Sequence, residues 1–424
     1  MENISIGFVG LGYVGLPTSC LFAMHYPVIG YDTNSLRVSN LQKGCDTDGE
    51  VDKEVIDKCL RKGLKFTDNL SDLQDCNYYI VVVPTPINNH NEPDLSYIKA
   101  ATQSVGQILK PGDTVIYEST VYPGVTEEVC VPILEQYSHL KYNVDFTVGY
   151  SPERVVPGDK NRQVADIVKI TSGSNVDAAN RIDRLYQSVL NCGTYLAPSI
   201  KVAEAAKVVE NTQRDINIAF INELATVFQA MDIDTNEVID AAASKWNFQA
   251  FRPGLVGGHC ISVDPYYLIG KAKSLGVNTP VMETARKVNN QMPIYIADQV
   301  VMALANRNFK TSECRILLLG ITFKEDCMDI RNSKVADIYK RLRQFTDFVE
   351  VYDPIADLES CSKQLGIDIV QNPEKLVEYG YQAIVLCVCH RAFANFDFSK
   401  YKAAEGFVYD VKGKLEHHIA DYRL

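Results

Sequence analysis

A mixed α/β fold with parallel sheets is predicted by three features of the chain. The first is a glycine turn. The apolar run from Ile4 to Val9 leads into Gly10, Gly12 and Gly15 in G-x-G-x-x-G spacing, and a helical segment follows from Leu16. A second apolar run, VIGYD, then ends in Asp32. The second feature is a series of short apolar runs that each end in polar or Gly/Pro-rich residues. The third is a stretch from Ile200 to about Met231 that keeps helical periodicity and contains neither Gly nor Pro.

Strand, glycine turn, helix, strand and acid, in that order, make up a dinucleotide-binding fingerprint. Gly10 makes the tight turn, Gly12 admits the pyrophosphate, and Gly15 lets the helix pack on the strand. Tyr13 and Val14, inside the motif, are cofactor-binding candidates with them. The helix amino terminus presents partial positive charge to the phosphates. Asp32 should bind the adenosine ribose hydroxyls and repel a 2′-phosphate, so NAD is expected rather than NADP. Arg37 lies close enough to weaken that preference, or to stack near the adenine.

The further runs YYIVVVP from Tyr78, TVIYES from Thr114 and FTVGYSPE from Phe146 read as strands of one parallel sheet. Their ends carry Thr85-Pro86, Ser119-Thr120 and Pro152-Glu153-Arg154. Each set alone is ordinary turn chemistry. At successive strand ends of one sheet they are expected to line a cofactor and substrate cleft.

The chain has 424 residues, enough for two or three domains. Its hydrophobic share of 46% and charged share of 22% are those of a globular protein. A net charge of -11 argues against nucleic-acid binding, which wants a basic face. The opening residues do not read as a signal peptide, and no apolar run reaches membrane-spanning length. The twelve cysteines show no paired spacing and suit a reducing cytoplasm. Cys387 and Cys389, in AIVLCVCH, should alternate faces of an apolar strand as core packing; no metal site is expected.

Two further stretches carry candidate chemistry. In the long helical stretch, Lys207, Asn211 and Arg214 fall at i, i+4 and i+7 and share a face. Val208, Val209, Ile216 and Ile218 crowd the neighbouring positions, which favours partial burial of Lys207 and Asn211 over a solvated stripe. The other stretch, FRPGLVGGHCISVDP from Phe251 to Pro265, places two glycines before His259 and Cys260 and an acid at Asp264. Gly257 and Gly258 permit close backbone approach or positive φ. On these residues alone Cys260 is equally a structural thiol and a nucleophile.

Six ordered motifs carry a resemblance over nearly the whole chain. They are GLGYVGLP at Gly10, STVYPGVTE at Ser119, SPERVVPGD at Ser151, AKVVEN at Ala206, FRPGLVGGHCISVDP, and GITFKEDCMDIRNSKVAD at Gly320. Together they resemble the nucleotide-sugar 6-dehydrogenases, the UDP-glucose/GDP-mannose dehydrogenase family. The resemblance implies two Rossmann-like doubly wound domains joined by a helical domain with a long central helix. The expected divisions are an NAD-binding domain at 1–199, a helical dimerisation domain with the cysteine loop at 200–305, and a UDP-sugar-binding domain at 306–424. The runs RILLLG, FVEVYDP, AIVLCV and GFVYDV agree with strands in the last. A homodimer or higher homo-oligomer is implied.

The implied reaction removes four electrons from the C6 alcohol of the sugar. A hydride transfer alone stops at the aldehyde; a thiolate carries the chemistry further through a thiohemiacetal and a thioester. The resemblance therefore assigns Cys260 as nucleophile. Lys207 and Asn211 would stabilise oxyanions, Asp264 would order them, and Glu153 with Thr120 would serve thioester hydrolysis. His259 receives no catalytic role. Thr85, Ser119, Thr120, Lys324 and Arg331 are implied around the cofactor. Arg154, Val155, Arg214, Phe251, Arg252, Gly257 and Lys324 are implied around the substrate, together with Glu153, Lys207 and Asn211.

SPER where plain UDP-glucose enzymes read N-P-E-F resembles the UDP-N-acetylhexosamine branch. KWNFQAFRPGLVGGHCI and FKEDCMDIRN resemble its UDP-N-acetylglucosamine/UDP-N-acetylgalactosamine subgroup, whose members feed capsule, O-antigen or other surface glycans. UDP-N-acetylmannosamine and UDP-glucose are the alternative substrates. A two-electron hydroxyacid dehydrogenase would need neither Cys260 nor the residues after Gly320, and a nucleotide-sugar sensor would need no catalytic set.

Overall fold

The computed structural model describes residues 4–154 and 164–424. Contacts divide the chain into two compact units: Met1–Glu210 with Tyr266–Val277, and Asn211–Pro265 with Asn278–Leu424.

The first unit is built on six parallel strands. They are β1 (Ile6–Val9), β2 (Val28–Tyr31), β3 (Lys65–Thr67), β4 (Tyr78–Val81), β5 (Thr114–Tyr117) and β6 (Thr147–Tyr150). Their order, β3-β2-β1-β4-β5-β6, is the doubly wound arrangement. Side chains alternate between two cores, as a period of two requires. Val9, Tyr79, Val115 and Tyr117 enter one core, and Ile6, Phe8, Ile80 and Ile116 the other. The strand order reverses between β1 and β4, so a crevice opens at their carboxyl ends. The sequence reading missed β3 and a small two-stranded sheet, β7 (Lys169–Thr171) with β8 (Thr194–Leu196). These strands are only three residues long, too short to display a period.

The second unit holds five parallel strands in the order β10-β9-β11-β12-β13. They are β9 (Ile316–Leu319), β10 (Val349–Tyr352), β11 (Tyr381–Leu386), β12 (Lys402–Asp410) and β13 (Tyr422–Arg423). The two parallel sheets and the long helix Ile200–Ala230 agree with the predicted fold class. That helix supplies residues 200–210 to the first unit and 211–230 to the second. A second long helix, Pro280–Asn306, was not singled out as an element within the stretch expected to be helical; it contains Pro293, a residue type that usually breaks or kinks a helix. Its buried face, Met292, Ile296, Val300 and Leu304, enters the core beneath β9 and outweighs the lost backbone bond.

β11 ends at Leu386, so Cys387 and Cys389 follow the strand instead of lying within it. Cys387 is nonetheless buried in one core of this unit, and Cys389 packs against the other. All twelve cysteines are thiols. Among the described residues no helix is long and apolar enough to cross a membrane.

Candidate active site

In the first unit the chain leaves β1 through a turn that only glycine fits. Gly10 has φ +99°, and a Cβ there would lie 2.2 Å from the Val82 carbonyl oxygen. A Cβ on Gly15 would lie 2.0 Å from the Gly10 carbonyl oxygen. A Cβ on Gly12 would meet nothing within 4 Å, so the turn is tight on its inner side and open at its crest. The helix Gly15–Ala23 that follows has Val14 at its N-cap and no side-chain cap; its Leu16 amide donates to the Gly12 carbonyl at 3.0 Å and Pro17 has no N–H, so the residues of the turn itself, up to Gly15, are the ones placed to meet a ligand. An open crest over an uncapped helix start fits a dinucleotide pyrophosphate. Gly12, Tyr13, Val14 and Gly15 would hold it, and NAD when bound accepts hydride from the substrate carbon.

Asp32, just past β2, accepts the Leu11 amide at 2.9 Å and the Asn34 amide at 2.9 Å, so it orders the turn. Arg37 has a different role from the expected cofactor contact. Its side chain is 8% exposed, donates to the Leu11 carbonyl from Nε and Nη2 at 3.0 and 2.9 Å, and pairs with Asp46 at 2.6 Å. The guanidinium thus braces the turn from behind. An Arg37→Ala enzyme is expected to lose about 3 kcal/mol, because Asp46 is left buried without its charge partner. Thermal denaturation reads that loss. The NAD/NADP preference should stay put; a shift toward NADP would show that Arg37 takes part in cofactor choice.

At the neighbouring strand ends, Ser119 Oγ donates to the Val83 carbonyl at 2.8 Å and accepts the Val83 amide at 2.9 Å, tying β5 to β4. Thr120 follows, half-buried. The Thr85 carbonyl accepts the Tyr267 hydroxyl at 2.9 Å. Beyond β6, Glu153 and Arg154 meet the long helix. Lys207 Nζ donates to Glu153 Oε2 at 3.2 Å, both side chains 7% exposed, and Glu153 Oε1 is buried with no hydrogen-bond partner among the described residues. Arg154 pairs with Glu210 at 2.9 Å. Val155 lies outside the described residues. Beneath this strand end, in a contact with no sequence signal, Glu118 accepts Lys169 Nζ at 2.6 Å and the Tyr186 hydroxyl at 2.5 Å, all three buried.

In the second unit the long helix presents Asn211, one turn past Lys207. Asn211 Nδ2 donates to Asp264 Oδ2 at 2.6 Å, and both residues are buried. Arg214, expected on the same face, is exposed. Cys260 is half-buried, and its carbonyl accepts the Val263 and Asp264 amides at 3.0 and 2.8 Å. It therefore occupies the turn that opens the helix Asp264–Ser274. Gly258 has φ +80°, and a Cβ on it would strike the Phe323 ring at 2.7 Å; one on Gly257 would meet the Asn332 carbonyl oxygen at 2.7 Å.

His259 turns toward the loop after β9. Arg331 Nη2 donates to its Nε2 at 3.3 Å, and Asp329 lies 3.6 Å away. Burial first, and then the Arg331 charge, push His259 down to about 4, so the ring is neutral at neutral pH and supplies no imidazolium to the thiol. Arg331 also grips Asp329 at 2.7 Å, and Lys324 is half-buried on the same loop. Phe251 is half-buried; Arg252 donates to the Asn236 carbonyl at 2.9 Å and pairs with Asp240. Each unit thus assembles part of the expected set: turn, strand ends and Lys207–Glu153 in the first, Asn211–Asp264 and the Cys260 loop in the second.

Residues 4–190 match the NAD binding domain of the UDP-glucose/GDP-mannose dehydrogenase family, residues 201–291 its central domain, and residues 317–417 its UDP binding domain. A UDP-N-acetyl-D-glucosamine 6-dehydrogenase from Pseudomonas aeruginosa is 48% identical, with 100% of each chain covered. One from Salmonella typhi is 44% identical over 100% of this chain and 99% of its own. Among solved structures, a UDP-D-ManNAc dehydrogenase from Pyrococcus horikoshii superposes with a TM-score of 0.90 at 33% identity, covering 99% of this chain and 98% of its own.

Proposed function

Because the chain belongs to the UDP-glucose/GDP-mannose dehydrogenase family, and so is an NAD-dependent oxidoreductase of nucleotide sugars, we propose that its substrate is a UDP-N-acetylhexosamine. UDP-N-acetylglucosamine or UDP-N-acetylgalactosamine is oxidised at C6 from alcohol to carboxylate, through a thioester on Cys260. The observation that carries the substrate choice is the 48% identity, over the full length of both chains, to a UDP-N-acetyl-D-glucosamine 6-dehydrogenase. The product is a uronic acid for surface polysaccharide.

Residue chemistry supports each step. Loss of the first hydride and the hydroxyl proton from C6 leaves an aldehyde. The Cys260 thiolate adds to it, and loss of a second hydride from the thiohemiacetal, to a second NAD, leaves a thioester. Water then cleaves the C–S bond, releasing carboxylate and returning the thiol. A position just ahead of the helix Asp264–Ser274 favours thiolate over thiol, since the positive end of a helix stabilises an anion. Lys207 and Asn211 stabilise the successive oxyanions. An amide carries two N–H groups; with one of Asn211's held by Asp264 at 2.6 Å, the other has a fixed direction toward substrate. Glu153 takes the proton from the hydrolytic water, and Thr120 holds that water.

Initial rates of NADH formation over UDP-glucose and the N-acetyl derivatives of UDP-glucosamine, UDP-galactosamine and UDP-mannosamine test the substrate. One of the first two N-acetyl sugars is expected to exceed UDP-glucose in kcat/KM by roughly a hundredfold, because a site that bonds the acetamido group is left unsatisfied without it. UDP-glucose or UDP-N-acetylmannosamine as the best substrate would refute the assignment.

A further inference from the structure

Between the two long helices of the second unit lies a chain of polar side chains that the reaction above does not use. Asp215 and Asn222 come from the helix Ile200–Ala230, and Arg286 and Asn289 from the helix Pro280–Asn306. All four are buried: Asp215, Asn222 and Asn289 at 0% exposure and Arg286 at 2%. Arg286 Nη1 donates to Asp215 Oδ1 at 2.5 Å, and Asn289 Nδ2 donates to the same oxygen at 2.6 Å. With its donor so committed, Asn289 offers Oδ1 to Asn222 Nδ2 at 2.8 Å. Asn222 Nδ2 also donates to the Gly254 carbonyl at 3.0 Å, and Asn222 Oδ1 accepts the Gly254 amide at 2.8 Å.

The chain therefore starts at an ion pair and ends on the backbone of one residue, held by both its N–H and its C=O. Gly254 has φ +155°, a conformation that side-chain-bearing residues avoid, and it lies in the loop that leads to Cys260. The same loop is held at its far end by Asn211 through Asp264. Asn211 and Asn222 stand on one helix, about 16 Å apart along its axis. Two asparagines on a single rigid element thus fix both ends of the segment that carries the thiol. A hydrophobic contact in the same place would pack the loop without selecting its direction; a hydrogen-bonded amide that donates to the Gly254 carbonyl and accepts the Gly254 amide accepts one orientation.

We propose that Asn222, oriented by Asn289 and the Asp215–Arg286 pair, is a positioning residue that sets the placement of the Cys260 loop through the Gly254 backbone. This rests on the nucleophile reading of Cys260. When Asn222 is lost the loop stays tethered at Asp264 but drifts at Gly254, and a misplacement of about an ångström is enough to slow a covalent step on the order of a hundredfold.

The test uses full-length Asn222→Ala enzyme with UDP-N-acetylglucosamine and NAD. The expected result is a kcat lowered at least about tenfold with KM within about threefold, and NADH per sugar consumed falling below two as free aldehyde escapes. Iodoacetamide labelling, followed peptide by peptide, should show an altered rate at Cys260 with no change at the exposed Cys45 and Cys192. Unchanged kcat, stoichiometry and Cys260 labelling in a folded variant would overturn the proposal. Hydrogen exchange of the unmodified enzyme supplies an arm that needs no variant: the Gly254 amide is expected to be strongly protected, and fast exchange there would overturn the proposal. A Cys260→Ser enzyme that still makes two NADH per sugar would sink the nucleophile reading, while the labelling comparison would still decide whether Asn222 sets the loop.

Discussion

Replacing Cys260 with serine is expected to lower net formation of the uronic acid by at least about a thousandfold, while binding of NAD and UDP-sugar stays within a few-fold of the parent enzyme. The hydroxyl is smaller than the thiol by little, so the half-buried position and its turn survive. What is lost is a thiol, a more acidic and more nucleophilic group than a hydroxyl. His259, its neighbour in sequence, is held by Arg331 at 3.3 Å on the loop after β9 and is not placed to serve a serine hydroxyl as base. Product analysis after extended incubation, with hydroxylamine to capture aldehyde, checks the outcome. Uronic acid at the parent rate would rule out covalent catalysis by this residue.

The second large effect is expected at Lys207. Lys207→Ala should lower kcat by about 10²–10⁴-fold, the range for loss of a group that stabilises charge and moves a proton in the transition state. It should also destabilise the first unit. Lys207 Nζ and Glu153 Oε2 are 3.2 Å apart with 7% exposure each, so removing the cation leaves a buried carboxylate uncompensated, at a cost of about 3–5 kcal/mol. Glu153→Gln in the Lys207→Ala background removes the stranded charge. The double variant should therefore regain most of the thermal stability and none of the rate, because the proposed oxyanion contact of Lys207 and the proposed hydrolytic base Glu153 are then both missing. Recovery of both by the double variant would show that Lys207 acts on the fold alone.

These two residues illustrate what could be read before any coordinates. The G-x-G-x-x-G turn was legible because its constraints are local: a backbone at φ +99° at Gly10 and an oxygen 2.0 Å from any Cβ on Gly15 exclude other residues whatever surrounds them. The long helix was legible from its period and its lack of Gly and Pro, and with it the burial of Lys207 and Asn211. Arg37 marks the limit of such reasoning. Its nearness in sequence to Asp32 suggested the cofactor, yet its direction is decided by Leu11 and Asp46, on either side of it in the chain.

Partners far apart in the chain were invisible. Asn222 meets Gly254 and Asn289, and Glu118 meets Lys169 and Tyr186, across separations that no window of sequence spans. Each is a common residue type whose role exists only in the contact. In the helix Pro280–Asn306, Pro293 is a strong local signal that tertiary packing overrides.

The claim that most depends on measurement is the covalent acyl-enzyme. Glu153→Gln enzyme, slowed in hydrolysis, should be mixed with NAD and UDP-N-acetylglucosamine, quenched in acid, digested and weighed by mass spectrometry. The peptide containing Cys260 should carry the mass of the sugar nucleotide acyl group and lose it on treatment with hydroxylamine. Steady NADH formation with that peptide unmodified would contradict the mechanism.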